Sequence, residues 1–242
     1  MSNDLVSVIW KKQVIAIGAM VIIIGSLMVF SYFQNNNSSQ SEFNFNNLPT
    51  YPFPGNVSVA PDFTLPNING QNYTFSADAG KIRLVDFFYT KCQGNLGCSL
   101  ASQKLFFVYS KLKENNQLDK VRIISIDFDY INDTMSSLRT YANTYTQDTT
   151  NWQFLLGNET QTKKTTSEWG FYYAINNVTA NVTTTSLQLN HGDAAHPDPY
   201  VHSLIIYFID QSGHWRYAAL GDYWTVTDAY AVITALLNEQ TS

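Results

Sequence analysis

Apolar and polar positions follow three successive patterns along the chain. Residues 14–33 (VIAIGAMVIIIGSLMVFSYF) are almost all apolar and none is charged. At about 1.5 Å of rise per residue, a helix of that length spans the hydrocarbon core of a bilayer. Residues 34–47 (QNNNSSQSEFNFNN) are rich in Asn and Ser and poor in aliphatics, and Pro49, Pro52, Pro54 and Gly55 come after them, the composition of a tether. Beyond residue 58, short apolar runs at strand spacing alternate with segments at helical spacing. The expected organisation is a cytoplasmic N-terminus over 1–13, a single-pass transmembrane anchor over 14–33, a polar linker over 34–58 and one folded domain over 59–242.

Within that domain, residues 61–76 place Phe63 and Leu65 before an Asn69-Gly70 turn and Tyr73 and Phe75 after it, which predicts a hairpin covering one end of a sheet. Residues 82–89 form an apolar run broken only by Arg83 and Asp86, as expected of a central strand buried on both faces. The period then changes: after Ser99, residues Ala101, Leu105, Val108 and Leu112 fall at helical spacing. A second central strand is expected at 121–128, a helix at 135–145, a short strand at 152–156 and a weak helix at 160–169. The polar stretch 176–199 reads as a surface insertion. A strand at 203–209 then turns at Gln211-Ser212-Gly213 into a partner at 214–219, and Thr227 is placed to cap a last helix with Val232, Ile233, Leu236 and Leu237 on its inner face. This order predicts an α/β domain, a mixed sheet with helices on both faces.

Charge orients the anchor and removes one class of function. Lys11 and Lys12 precede the apolar run and no basic residue appears after it until Lys81, so the positive-inside bias leaves the N-terminus in the cytoplasm and the domain outside the cell membrane. A cleavable signal peptide is the alternative, but the run is longer than an h-region and no A-x-A-like site closes it. Net charge is −5, charged residues are 14% of the chain, and adjacent basic residues occur only as the pairs Lys11-Lys12 and Lys163-Lys164; nothing resembles a footprint for nucleic acid. N-x-S/T sequons, among them those at Asn72, Asn132 and Asn158, suit a glycoprotein in an extracytoplasmic compartment.

The chain has two cysteines, Cys92 and Cys98, expected between a buried strand and the N-terminus of a helix. Three readings are open: a structural disulfide, a redox-active pair, or soft ligands for a metal. A link across so short a loop removes little unfolded-state entropy, whereas helix N-terminal N–H groups stabilise the thiolate that attacks disulfides and binds metals. Among the histidines, His202 precedes a strong strand, and its loop can face the cysteine loop only if that strand runs antiparallel to the first central one. His191 and His196, with Asp193 and Asp198, lie in the polar insertion and read as solvated.

From Ala60 onward the sequence resembles the Sco/SenC family, thioredoxin-fold proteins tethered to energy-transducing membranes that handle copper for cytochrome oxidase assembly. The matching residues are Ala60-Pro61-Asp62-Phe63, Val85-Asp86-Phe87-Phe88-Tyr89-Thr90 leading into the cysteines, Ile124-Ser125-Ile126-Asp127, Asp133-Thr134, and Val201-His202-Ser203 running into Ile206-Tyr207-Phe208-Ile209-Asp210. The resemblance implies a thioredoxin-like fold and copper, Cu(I) or Cu(II), held by Cys92, Cys98 and His202. It also implies a partner in the copper-site subunit of a terminal oxidase or another extracytoplasmic cuproprotein, and marks Asp127, Asp129 and Asp133 as candidates for supporting the site. The sequence departs from the family in its cysteine spacing. The family pattern is C-x-x-x-C followed by Pro, whereas here five residues separate Cys92 from Cys98 and Ser99 comes next. A thiol–disulfide oxidoreductase acting through Cys92 and Cys98 alone is the alternative function. A peroxidase lacks its Pro-x-x-x-Thr/Ser-x-x-Cys pattern after Tyr89, and an adhesion domain stapled by a disulfide is the plainest reading.

Overall fold

The computed structural model describes residues 59–92, 97–175 and 199–239. The apolar segment 14–33, the linker and the insertion with His191 and His196 lie outside the described residues. Among those described, no helix is long and apolar enough to cross a membrane.

The domain opens with the expected hairpin, β1 (Thr64–Pro66) paired antiparallel with β2 (Asn72–Thr74). The turn between them uses Gly70 at φ 76°, a left-handed conformation that costs glycine little. A short 3-10 turn at Phe75–Asp78 leads into β3 (Ile82–Phe88), which is buried at every position. The chain then enters α1 (Cys98–Glu114), β4 (Val121–Asp127), α2 (Met135–Asn143), β5 (Trp152–Leu156) and α3 (Glu159–Glu168). Here β4 runs parallel to β3 from Ile82↔Val121 to Phe88↔Asp127, and β5 runs parallel to β4.

After α3 the chain forms a second hairpin, β6 (Tyr173–Ile175) with β7 (Tyr200–His202), which brackets the polar insertion. The sequence pattern places His202 in a loop; it instead ends a strand. Three-residue strands are too short for their alternation to stand out from a polar neighbourhood. Then β8 (Ile205–Ile209) pairs antiparallel with β3, and β9 (Trp215–Leu220) pairs antiparallel with β8. The central sheet has the order β5-β4-β3-β8-β9. The last helix, α4 (Val226–Asn238), is capped by Thr225 rather than Thr227. Thr225 Oγ1 accepts the Asp228 N–H at 3.1 Å and Asp228 accepts the Thr225 N–H at 2.8 Å, a reciprocal pair that satisfies two orphan donors at once.

Neighbouring residues of a strand face opposite sides of the sheet, and β3 shows both layers. Phe88 stacks on Tyr141 of α2, and Tyr141 in turn donates to Ser102 of α1 at 2.8 Å. Phe87 faces the other way, onto Trp169 at the end of α3 and Tyr207 of β8. The hairpin side chains Phe63 and Phe75 complete that second cluster around Trp169. The expected mixed sheet with helices on both faces is present.

Two charged groups are built into this scaffold. Asp78 takes the Arg122 guanidinium through Nε at 2.6 Å and a second nitrogen at 2.8 Å, and the Tyr73 hydroxyl at 2.8 Å. Burial works to raise the Asp78 carboxyl, but Arg122 and Tyr73 outweigh it and hold the group below the usual carboxylate range. At the centre of β3, Asp86 accepts Ser125 Oγ at 2.6 Å, and Trp152 Nε1 donates to the same hydroxyl at 3.0 Å. Burial pushes the Asp86 carboxyl up to about 7 against the opposing Ser125 hydrogen bond.

Candidate metal centre

Beyond Phe88, Tyr89-Thr90-Lys91 carry the chain past the end of the sheet to Cys92, and α1 begins at Cys98. Gly97 precedes the helix at φ 77°. It has no side chain to cap α1, so the unpaired N–H groups and the positive end of the helix dipole are left at the cysteine loop. The two cysteines are joined as a disulfide with a Cα–Cα separation of 6.1 Å, and both are buried.

The antiparallel pairing of β8 with β3 brings the start of β8, and β7 just before it, to this same end of the sheet. His202 is completely buried there. Its Nε2 lies 3.5 Å from the Cys98 sulfur, and its Nδ1 lies 2.9 Å from the Ser203 carbonyl oxygen. A carbonyl only accepts, so the proton sits on Nδ1 and the Nε2 lone pair faces the sulfurs, the tautomer a metal ligand needs. One ligand atom from each of Cys92, Cys98 and His202 falls within 4.8 Å of the other two, and this is the one such cluster of His, Cys and carboxylate groups among the described residues. Once the disulfide is reduced, two thiolates and an imidazole form a soft donor set that suits Cu(I).

The walls are aromatic. The His202 ring meets Phe128 at 5.3 Å, Tyr89 at 5.9 Å and Phe171 at 6.3 Å between centroids. These rings exclude water, strengthening each polar contact inside. None of the three stands out in the sequence, because aromatic residues at strand ends read as ordinary core.

The three acids fall on one loop, from the end of β4 to the start of α2. Asp133 accepts the Thr90 N–H at 2.8 Å and also the Thr90 hydroxyl, so it grips the segment two residues before Cys92. Asp129 accepts the Tyr200 hydroxyl at 2.7 Å, two residues before His202. Both acids thus reach the segments that carry Cys92 and His202 through a neighbouring hydroxyl. Asp127 Oδ1 accepts the Asp129 N–H at 2.9 Å, while its Oδ2 has no hydrogen-bond partner among the described residues. Burial first, and the charge of Asp133 second, raise the Asp127 carboxyl well above its ordinary range. The Asn132 side-chain amide is committed to Asp129 and Tyr200, so that sequon is engaged, whereas Asn72 and Asn158 are exposed.

A sequence model of the SCO1/SenC family matches residues 54–237. The chain belongs to the SCO1/SenC family. A SCO1 protein homolog of Bacillus subtilis (strain 168) is 36% identical over 104 residues, 43% of this chain. That match spans about half (51%) of the relative's length. Among solved structures, Arabidopsis thaliana ScoI with copper bound superposes with a TM-score of 0.59 at 18% identity, covering 75% of this chain and 99% of that one. A SCO1/SenC family lipoprotein from Bacillus anthracis gives 0.58 at 21% identity, covering 77% and 98%. At those identities the structural likeness speaks for the shared thioredoxin-like fold.

Proposed function

We propose that this protein is a membrane-anchored, extracytoplasmic copper chaperone. It binds one copper ion through Cys92, Cys98 and His202 and delivers it to, or prepares, the copper site of a respiratory oxidase or another extracytoplasmic cuproprotein. The observation that carries the reading is the convergence of the two sulfurs with a buried imidazole whose Nε2 faces them. Membership of the SCO1/SenC family and a solved relative described with copper bound support it. The topology that goes with it is an anchor at 14–33, a tether at 34–58 and the Sco domain from 59 onward. The charge asymmetry around the apolar run supports that arrangement, and a B. anthracis relative described as a lipoprotein supports association with a membrane without bearing on the kind of anchor.

Loading couples to proton and electron balance. An external dithiol must first reduce the disulfide, giving it two electrons and two protons and becoming a disulfide itself, and binding copper to both sulfurs then releases two thiol protons, with the Nε2 lone pair of His202 as third donor. Titration of the reduced full chain with Cu(I) tests the reading, with Cys92→Ser, Cys98→Ser and His202→Ala alongside. About one copper per chain is expected in the wild type, with each substitution weakening uptake at least tenfold. If His202→Ala binds as tightly as the wild type, the three-ligand site is wrong.

The Cys92–Cys98 disulfide at a helix N-terminus favours a second reading, a thiol–disulfide oxidoreductase that keeps a partner's cysteines reduced. That activity needs both cysteines and not His202. Exchange with a dithiol peptide that survives His202→Ala while copper binding collapses would assign both activities to the one cysteine pair.

A further inference from the structure

The hairpin that carries His202 stands outside the central sheet. Its strands are three residues each and form a sheet of their own, separate from the central five. The Ser203 N–H donates to the Tyr172 carbonyl at 2.8 Å, and the Tyr172 N–H donates to Ser203 Oγ at 3.3 Å, but these bonds are internal to the hairpin region. The hydrogen bond between Nδ1 and the Ser203 carbonyl orients the ring relative to its own backbone only. The pairing of β8 with β3 brings that backbone to the cysteine end of the sheet, and side-chain contacts of β7 set its placement within that end.

A polar tie of suitable chemistry crosses from β7 to the loop after β4. Tyr200 and His202 share one face of β7, two residues apart, and both are buried. The Tyr200 hydroxyl donates to Asp129 Oδ1 at 2.7 Å. Asp129, itself buried, takes its other donors from Asn132, through the backbone N–H at 3.0 Å and the side-chain amide at 3.0 Å to both oxygens. In the low-dielectric surroundings of a buried site such hydrogen bonds are stronger than in water. The Tyr200 ring meanwhile packs edge-on against Tyr89 and Phe128, two of the rings that touch His202. The same loop grips Thr90 through Asp133, two residues before Cys92. One acidic loop thus holds both ligand-bearing segments at the same remove from their ligands.

Resting on the copper reading above, we propose that Tyr200 and Asp129 are positioning residues for the metal site, a latch whose hydrogen bond fixes β7 so that His202 Nε2 meets the two sulfurs. Neither touches the metal; both act through His202.

The test uses the reduced full chain with Cu(I) under a competing chelator for affinity, and Cu(II) with electron paramagnetic resonance for the nitrogen signature of histidine. Tyr200→Phe removes the hydroxyl and keeps the ring. It is expected to weaken Cu(I) binding about tenfold, the lower end of what supporting groups of a metal site contribute, and to weaken the nitrogen signature toward that of His202→Ala. In a His202→Ala background, Tyr200→Phe is expected to add no further loss, because the latch acts through the missing ligand. Asp129→Asn, which keeps the side-chain size and a weaker acceptor, should move both readouts in the same direction by less, and serves if Tyr200→Phe does not fold. Wild-type affinity and signature in both variants would overturn the latch while leaving the ligand set intact, as would losses that simply add to those of His202→Ala. Unchanged binding in His202→Ala alone would instead remove the site itself and the latch with it.

Discussion

Strand β4 carries Arg122 near its start and Asp127 at its end, and the two ends of the sheet treat buried charge in opposite ways. At the start, Arg122 meets Asp78 through two nitrogens, Tyr73 adds a hydroxyl and Lys81 stands 3.6 Å away. At the other end Asp127, Asp129 and Asp133 gather on one stretch of loop, and none forms an ion pair among the described residues. A buried pair with every partner in place is compatible with a passive scaffold. Three buried carboxyl groups collected beside two sulfurs and an imidazole are a local conflict of the kind proteins carry at functional sites. The acids are tolerated because each has its own role there. Asp133 holds Thr90, Asp129 holds Tyr200, and Asp127 is pushed toward its neutral form.

The largest effect is expected at the scaffold end. Arg122→Ala leaves Asp78 buried with only Tyr73 and a longer contact to Lys81, and loss of one partner of such a pair costs about 3–5 kcal/mol. Urea denaturation near neutral pH should show that loss, with copper binding per folded molecule unchanged. An equal loss of copper affinity would mean that the two ends are not independent.

Midway along the sheet, Asp86 gives a smaller effect that depends on pH. Its folded pKa is raised, so the folded state binds a proton that the unfolded state has already released. The stability this confers is fully present below the unfolded carboxylate pKa of about 4 and is lost as pH rises through about 7. Asp86→Asn keeps the Ser125 hydrogen bond and removes the titration. The wild type should lose on the order of 3 kcal/mol relative to the variant between pH 4 and pH 8. Parallel stability curves for the two proteins over that range would refute the assignment.

The sheet and its long helices are legible in the sequence because their signal is periodic: β3 and β4 are apolar at nearly every position, and α1 repeats at helical spacing. Cys92 and Cys98 at a strand-to-helix turn are legible for the same reason. The antiparallel pairing that carries His202 to them is visible only as a condition, since a strand's direction depends on which neighbour it meets. The strand identity of β7, the Tyr200–Asp129 bond and the ring cage are hidden. They rest on contacts between residues far apart along the chain, about seventy positions for Tyr200 and Asp129, and no local propensity encodes them. Thr225 escapes notice as a cap because Thr227 offers the same hydroxyl two residues later, and only the reciprocal bond with Asp228 decides between them.

The smallest expected effect lies at the cysteine end. Cys92 and Cys98 are six residues apart, so closing their loop restricts the unfolded chain only modestly, and reduction should cost about 2 kcal/mol on the chain-entropy account. The response to copper then separates the two ends of the sheet. Copper that binds the folded dithiol stabilises it by mass action, by about 2.7 kcal/mol when free copper stands at a hundredfold excess over its dissociation constant. The reduced, copper-loaded protein should therefore melt at or above the temperature of the oxidised, copper-free form, and the reduced copper-free form below both. His202→Ala should show the same drop on reduction but recover far less on adding copper, because the drop belongs to the two sulfurs and the recovery to all three ligands. If copper restores the variant as fully as the wild type, the imidazole contributes nothing to the bound state, and the acidic loop positions a residue that copper does not use.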